Sequence, residues 1–347
     1  MLDTKSYAAL DDKSPLKPFT IARREPRDHD VLIEILYCGI CHSDLHQVRN
    51  EWKNATYPMV PGHEIVGRVA RVGSGVTKHK VGDVVGVGCL VDACGKCGAC
   101  EEGLEQYCDG HAVMTYNGTE KDGSPTYGGY STQIVVDESF VLRVRATGAL
   151  DRIAPLLCAG ITTYSPLKHW KVGKGSRVAV VGLGGLGHMA VKIAAAMGAE
   201  VTLLSTSPKK REDAKRLGAH EFILGNDDAA LAKVSGRFDV VIDSVSAPHD
   251  LAPLANLLRR DGSLVLLGVP DRPAALPAFP LIMKRRSIAG SLIGGIAETQ
   301  EMLDFCAERG IAADVETIAI QDVDRAFERM LKGDVRYRFV IDVKSLR

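Results

Sequence analysis

Two short runs concentrate reactive side chains in this sequence: Cys41-His42-Ser43-Asp44-Leu45-His46 and Pro61-Gly62-His63-Glu64. A thiol, imidazoles, carboxylates and a hydroxyl at such density are the ingredients of a metal site with proton transfer attached. A catalytic zinc takes three protein ligands and keeps one position open. Cys41 and His63, with Cys158 far down the chain, would supply a Cys2His set. Spacing over so long an interval does not decide the matter by itself. Cys38-x2-Cys41 would also suit a redox pair, and each His could be an ordinary polar residue in a turn. The neighbours fit the metal reading. Asp44 can orient His63 by accepting its second ring N–H, and Glu64, beside a ligand, can approach the metal or tune its field. Ser43 and His46 are the right types for a proton relay to a developing alkoxide.

A second cysteine pattern is more specific. Cys94-x2-Cys97-x2-Cys100-x7-Cys108 places four thiols on one loop, enough to close a tetrahedron with no position left for substrate. This predicts a structural zinc. An iron–sulfur cluster is the alternative for four such thiols, although the chemistry proposed at Cys41–Glu64 needs no electron carrier. The remaining cysteines, Cys38, Cys89 and Cys306, are expected to be small buried hydrophobes.

The third signal is Gly182-Leu183-Gly184-Gly185-Leu186-Gly187, a G-x-G-x-x-G that follows the apolar run Val178–Val181 and opens a helical stretch. In that context the pattern predicts a dinucleotide site: Gly182 for the turn, Gly184 for backbone approach to the pyrophosphate and Gly187 for close helix–strand packing. The choice between NAD and NADP falls at the end of the next strand. There the chain reads Ser205-Thr206-Ser207-Pro208-Lys209-Lys210-Arg211, with no acid to bind a ribose 2′-hydroxyl. Hydroxyls and cations suit a 2′-phosphate, so NADP(H) is expected. A helix cap at Ser207 with a solvated basic turn is the plainer reading, but basic residues in a first turn oppose the helix dipole.

These residues need two frameworks to position them. The chain is 347 residues long, which suggests two domains. Residues 1–150 combine short β-like runs with many glycines and turns. Asp30–Tyr37 reads as a strand that delivers Cys41, Leu45–Trp52 as a short helix, and Ile65–Val72 and Val81–Val87 as further strands. From Arg177 strand and helix alternate, which predicts a doubly wound parallel sheet over 151–289. Helices are expected at His188–Met197, Pro208–Leu217 and His249–Leu258, and a strand at Leu264–Gly268. The closing run Tyr337–Val343 reads as a strand returning to the first domain, which makes that domain 1–150 plus 290–347. The fold class is therefore α/β with two domains. Hydrophobic residues make up 46% and charged residues 25%, with zero net charge and no long basic run, which argues against nucleic acid or anionic membrane as the main partner. The N-terminus has no signal-peptide core and no apolar run approaches a bilayer span, so a cytoplasmic location is expected.

Taken together, these segments resemble the zinc-dependent medium-chain alcohol dehydrogenases, specifically the cinnamyl alcohol dehydrogenase group and, within it, bacterial broad-specificity NADP-dependent aldehyde reductases. The likeness runs through CGICHSDLHQ at 38–47, PGHEIVGRV at 61–69, the CGKCGACEEGLEQYC lobe, LLCAGITTYSPLKHW at 156–170, VGLGGLGHMAVK at 181–192 and YRFVID at 337–342. It implies a GroES-like β-rich domain with a Rossmann domain, two zinc ions per chain, NADP(H), and a homodimer. It implies zinc ligands Cys41, His63 and Cys158 with Glu64 beside the metal, Ser43 and His46 as relay, and Thr162 near the nicotinamide. Cofactor contacts follow at Leu183, Gly185, Leu186 and Val269, with Ser205, Thr206, Ser207 and Lys210 at the 2′-phosphate. Trp52 resembles a pocket-wall residue and Met114 lies in a stretch, 111–116, that departs from the plant enzymes. The activity implied is interconversion of primary alcohols and aldehydes, aromatic and aliphatic, in the reductive direction. A polyol or secondary-alcohol dehydrogenase is the alternative.

Overall fold

The computed structural model describes residues 1–145, 149–270, 272–275 and 278–346. It divides into two compact units, Met1–Cys158 with Gly294–Arg347, and Ala159–Ile293. The limits lie eight and four residues beyond the expected 150/151 and 289/290, so that Cys158 falls on the side of Cys41 and His63.

The first unit is built on the strand Asp30–Ile40, buried at most positions. One edge pairs antiparallel with Ile65–Val72. The other is shared by Gln133–Asp137, against residues 30–34, and Arg338–Asp342, against residues 37–40. The last strand of the chain thus lies beside the residues that lead into Cys41, with Val315–Ala319 parallel on its outer side. The following helix spans His42–Val48 rather than starting at Leu45. Asp44 explains the difference: from the third helical position its carboxylate accepts the Cys41 backbone N–H at 2.8 Å and closes a capping box. The strand expected at Val81 starts at Val84, because Gly82 turns the chain with φ 94°.

The second unit holds a six-stranded, all-parallel sheet in the order Glu221–Leu224, Glu200–Ser205, Arg177–Val181, Phe238–Asp243, Leu258–Leu266, Ser287–Gly290. Continuous apolar strands such as Val178–Val180 are buried on both faces, as parallel strands covered by helices require. One core cluster gathers Ala179, Leu204, Phe238, Val241, Leu254 and Leu264. Strand order reverses between Arg177–Val181 and Phe238–Asp243, the switch point at which such sheets leave a crevice beyond their carboxyl ends. Among the described residues no helix is long and apolar enough to cross a membrane.

Candidate active site

Cys41, His63, Glu64 and Cys158 bring one ligand atom each to within 4.8 Å of one another, and all four residues are buried. The Cys41 and Cys158 sulfurs stand 3.9 Å apart. Two thiolates at ~2.3 Å from a tetrahedral zinc would be separated by about 3.8 Å, so the pair has the spacing that ion requires. The Cys158 thiol, hydrogen-bonded to Cys41, holds the Cys41 thiol well below its ordinary range, with Arg338 and His63 acting the same way. A lowered thiol is what a metal ligand needs.

Asp44 lies behind this set, fully buried. Its Oδ1 is 3.2 Å from His63 Nδ1 and accepts the Gly62 N–H at 3.2 Å. Its Oδ2 accepts the Cys41 N–H and, at 3.4 Å, the Tyr130 hydroxyl. One carboxylate therefore grips both ligand-bearing segments, and with His63 Nδ1 engaged, Nε2 is the nitrogen left for a metal. Tyr116 stacks on the His63 ring, centroids 5.7 Å apart.

Glu64 points at the same place from a different partnership. Its Oε1 accepts from Arg338 Nη2 in a fully buried ion pair, while Oε2 has no hydrogen-bond partner. Burial pushes the Glu64 carboxyl up to about 7, with Arg338 opposing. Arg338 was not among the residues singled out from sequence. Its signal was a cation heading the apolar run Phe339–Ile341. Cys89, expected to be a small buried hydrophobe, is buried and donates its thiol to the Leu157 carbonyl at 3.9 Å, one residue before Cys158, so it borders the site.

Ser43 and His46 flank the buried set on the helix His42–Val48, which Cys41 caps. Ser43 Oγ is 3.6 Å from Cys41 Sγ. His46 Nδ1 contacts the Glu51 carboxylate, and the His46 ring packs on Trp52 at 5.2 Å and on His42 at 6.3 Å. Trp52 is 39% exposed and Met114, at the end of Val113–Met114, 43%. A half-buried imidazole beside a carboxylate at the surface can pass protons between an inner hydroxyl and water.

In the lobe, Cys94, Cys97, Cys100 and Cys108 also fall within 4.8 Å of one another. The pairs Cys94–Cys100 and Cys97–Cys108 are each separated by 3.9 Å, again the edge of a zinc tetrahedron. Gly95 and Gly103, at φ 71° and 73°, make the turns that fold four ligands into 15 residues. The Cys94 amide donates to Cys108 Sγ at 3.4 Å and helps hold that thiol down to about 6. The Cys100 amide, joined by the Asp109 amide at 3.4 Å, likewise lowers the Cys97 thiol. All nine cysteines are free of disulfides.

The second unit carries the glycine turn. Gly182 has φ 88°, a left-handed conformation that side chains rarely adopt. A Cβ on Gly187 would lie 2.1 Å from the Gly182 carbonyl oxygen, so helix Gly185–Ala196 can approach its strand only through a glycine. Gly184 caps that helix and a Cβ there would meet nothing within 4 Å; Leu183 beside it is buried. Gly185 and Leu186 open the helix, half-buried. Ser205 ends its strand buried, Thr206 is exposed, and the Ser207 N–H donates to Ser205 Oγ at 3.3 Å. Lys210 Nζ donates to the Leu183 carbonyl at 2.7 Å, which brings the basic turn to the glycine turn. Arg211 lies over Phe222. Thr162 is buried in helix Ala159–His169, and Val269 is 59% exposed after the strand Leu258–Leu266.

Comparison with known proteins agrees with this geometry. Residues 27–146 match the alcohol dehydrogenase GroES-like domain and residues 185–308 the zinc-binding dehydrogenase domain. The NADP-dependent alcohol dehydrogenase C 1 of Mycolicibacterium smegmatis is 56% identical over 348 residues, covering 100% of both chains. The aldehyde reductase YahK of Escherichia coli is 57% identical and covers 99% of both. Among solved structures, the cinnamyl alcohol dehydrogenase of Helicobacter pylori in complex with NADP(H) superposes with a TM-score of 0.93 at 44% identity, over 99% of both chains.

Proposed function

The chain belongs to the zinc-binding alcohol dehydrogenases with a GroES-like domain, an oxidoreductase family, and on that premise we propose that it interconverts primary alcohols and aldehydes, aromatic and aliphatic, with NADP(H), acting as an aldehyde reductase. The observation that carries the reading is the buried set Cys41, His63, Glu64 and Cys158 around one point, with Asp44 locked behind His63.

Cys41, His63 and Cys158 would hold the catalytic zinc, with Glu64 beside it. When bound there the ion supplies a Lewis acid that polarises a carbonyl. The four lobe cysteines would hold a second, structural zinc, two per chain in all. Ser43 would pass a proton toward the developing alkoxide and His46 would replenish it from solvent. The glycine turn at 182–187, with Leu183, Gly185 and Leu186, would take the pyrophosphate at a helix N-terminus. Ser205, Thr206, Ser207 and Lys210 would take the 2′-phosphate, and Thr162 and Val269 would lie toward the nicotinamide end. Trp52 and Met114 would form part of the substrate wall.

A homodimer is the assembly we infer, located in the cytoplasm. Its support is the apolar, exposed Phe279, Ile282 and Met283 in the same unit as the sheet-edge strand Ser287–Gly290. Metal analysis and a cofactor assay together test the whole reading. Purified protein should contain about two zinc ions per chain and should oxidise NADPH in preference to NADH with benzaldehyde, cinnamaldehyde and short aliphatic aldehydes. Turnover of sorbitol or a secondary alcohol, with the aldehydes inert, would replace it with the polyol reading.

A further inference from the structure

A second buried carboxylate stands apart from the metal chemistry. Asp243 ends the strand Phe238–Asp243 and is only 3% exposed. A carboxylate so buried needs partners. It has two, both in the loop that follows. Its Oδ1 accepts the Val245 N–H at 3.1 Å, and its Oδ2 lies 2.9 Å from His249 Nε2. The other ring nitrogen of His249 is also engaged, 2.9 Å from the Ala247 carbonyl. A carbonyl only accepts, so Nδ1 carries a proton. One further proton is then shared between Nε2 and Oδ2, whichever of the two atoms it sits on. Burial pushes the Asp243 carboxyl up, with His249 opposing, which is consistent with that sharing.

The loop held in this way lies against the glycine turn. Ser244 Oγ donates to the Val181 carbonyl at 2.7 Å and its backbone N–H to the same oxygen at 3.2 Å. A Cβ on Gly182 would come within 2.9 Å of Val245 Cγ2, and one on Gly187 within 3.1 Å of Ser244 Oγ. From the opposite side, a Cβ on Gly268 would fall 2.3 Å from the Val245 carbonyl oxygen. The loop backbone is therefore wedged between two glycine-bearing turns. Val181 and Asp243 are register partners in the parallel sheet, so the 182–187 and 244–249 loops leave the sheet side by side at its switch point.

We propose that His249 and Asp243 are positioning residues for the dinucleotide, clasping residues 244–247 so that they form one wall of the cofactor crevice opposite the glycine turn. This rests on the NADP(H) reading above. Neither side chain need touch the cofactor; the clasp acts through the backbone it fixes.

Titration of NADPH into the purified zinc-loaded protein, followed by nucleotide fluorescence and by steady-state kinetics, tests the clasp. His249→Ala should raise the NADPH Kd and KM about tenfold, the size expected for losing a hydrogen bond to a charged group, while leaving kcat and the aldehyde KM unchanged. His249→Gln, whose amide nitrogen can still donate to Asp243, should recover most of that loss. Asp243→Leu, of similar size, can bond to neither His249 nor Val245 and should behave like His249→Ala, which preserves the comparison if the alanine variant fails to fold. An unchanged NADPH Kd in His249→Ala and Asp243→Leu would overturn the proposal, as would equal losses in cofactor and aldehyde parameters with no recovery in His249→Gln. Wild-type protein that binds no NADPH would overturn the cofactor reading itself.

Discussion

The Asp44 carboxylate lies 3.2 Å from His63 Nδ1 while also accepting the backbone N–H of Cys41. A single buried side chain thus sets the tautomer of one candidate ligand and the position of another. Asn at this position cannot accept from His63, Gly62 and Cys41 together, because half of its polar end is a donor. Asp44→Asn should lower catalytic zinc affinity or turnover about 10–100-fold, the usual cost of losing an outer-shell partner. Zinc content after dialysis against a mild chelator checks this: the lobe zinc should stay and the other should leave.

Gly187 and Gly184 sit in the same turn but should respond oppositely to an added methyl group. At Gly187 a Cβ would meet the Gly182 carbonyl carbon and oxygen, at 2.9 and 2.1 Å, and backbone atoms cannot rotate away. Gly187→Ala should therefore destabilise the second unit by about 1–3 kcal/mol, as overpacking does, and abolish NADPH binding. At Gly184 the space is open and φ is −124°, which alanine tolerates. Gly184→Ala should melt like the wild type yet bind NADPH more weakly, since the methyl group occupies the approach of the pyrophosphate. Thermal melts beside NADPH titrations separate the two effects. Wild-type affinity in Gly184→Ala would remove the cofactor from this turn.

Much of the site was legible in the residues, for reasons the structure makes concrete. The lobe cysteines and the glycine turn are local, so their spacing fixes their geometry. The helix at Cys41 was placed three residues late because its start depends on Asp44 serving as cap as well as His63 partner. Arg338 has no local signal of its role, because its partner Glu64 lies 274 residues away in the chain and no local pattern encodes that meeting. Asp243 and His249 were hidden differently. Asp243 ends an apolar strand and His249 opened an expected helix, His249–Leu258, yet the observed helix is Ala252–Leu257. His249 is spent on Asp243 and Ala247 and does not join it.

Lys210 tests which dinucleotide the second unit prefers. Its ammonium donates to the Leu183 carbonyl, within the glycine turn, from the basic stretch Lys209-Lys210-Arg211. An ammonium stabilises a phosphate dianion far more than a ribose hydroxyl. Lys210→Ala should raise the NADPH Kd about tenfold and the NADH Kd much less, since only the tie to Leu183 is then lost. Equal losses for both cofactors would confine Lys210 to holding the turn.

Arg338 and Glu64 form an ion pair in which neither side chain reaches water, 5% and 0% exposed. Truncating one partner leaves a buried charge uncompensated, at a cost of about 3–5 kcal/mol. Arg338→Met should show that loss as a lower urea midpoint, and Arg338→Met with Glu64→Gln should recover much of it, because no charge is then stranded. The single variant should also depend on pH. Burial already pushes Glu64 up to about 7 with Arg338 opposing; without Arg338 the carboxyl rises further above its unfolded value of ~4.3. The folded state then binds a proton that the unfolded chain releases, so the deficit of Arg338→Met should shrink as pH falls from about 8 to about 6. A deficit that grows on acidification would mean that Arg338 stabilises this sheet by packing, and that its charge is not what Glu64 requires.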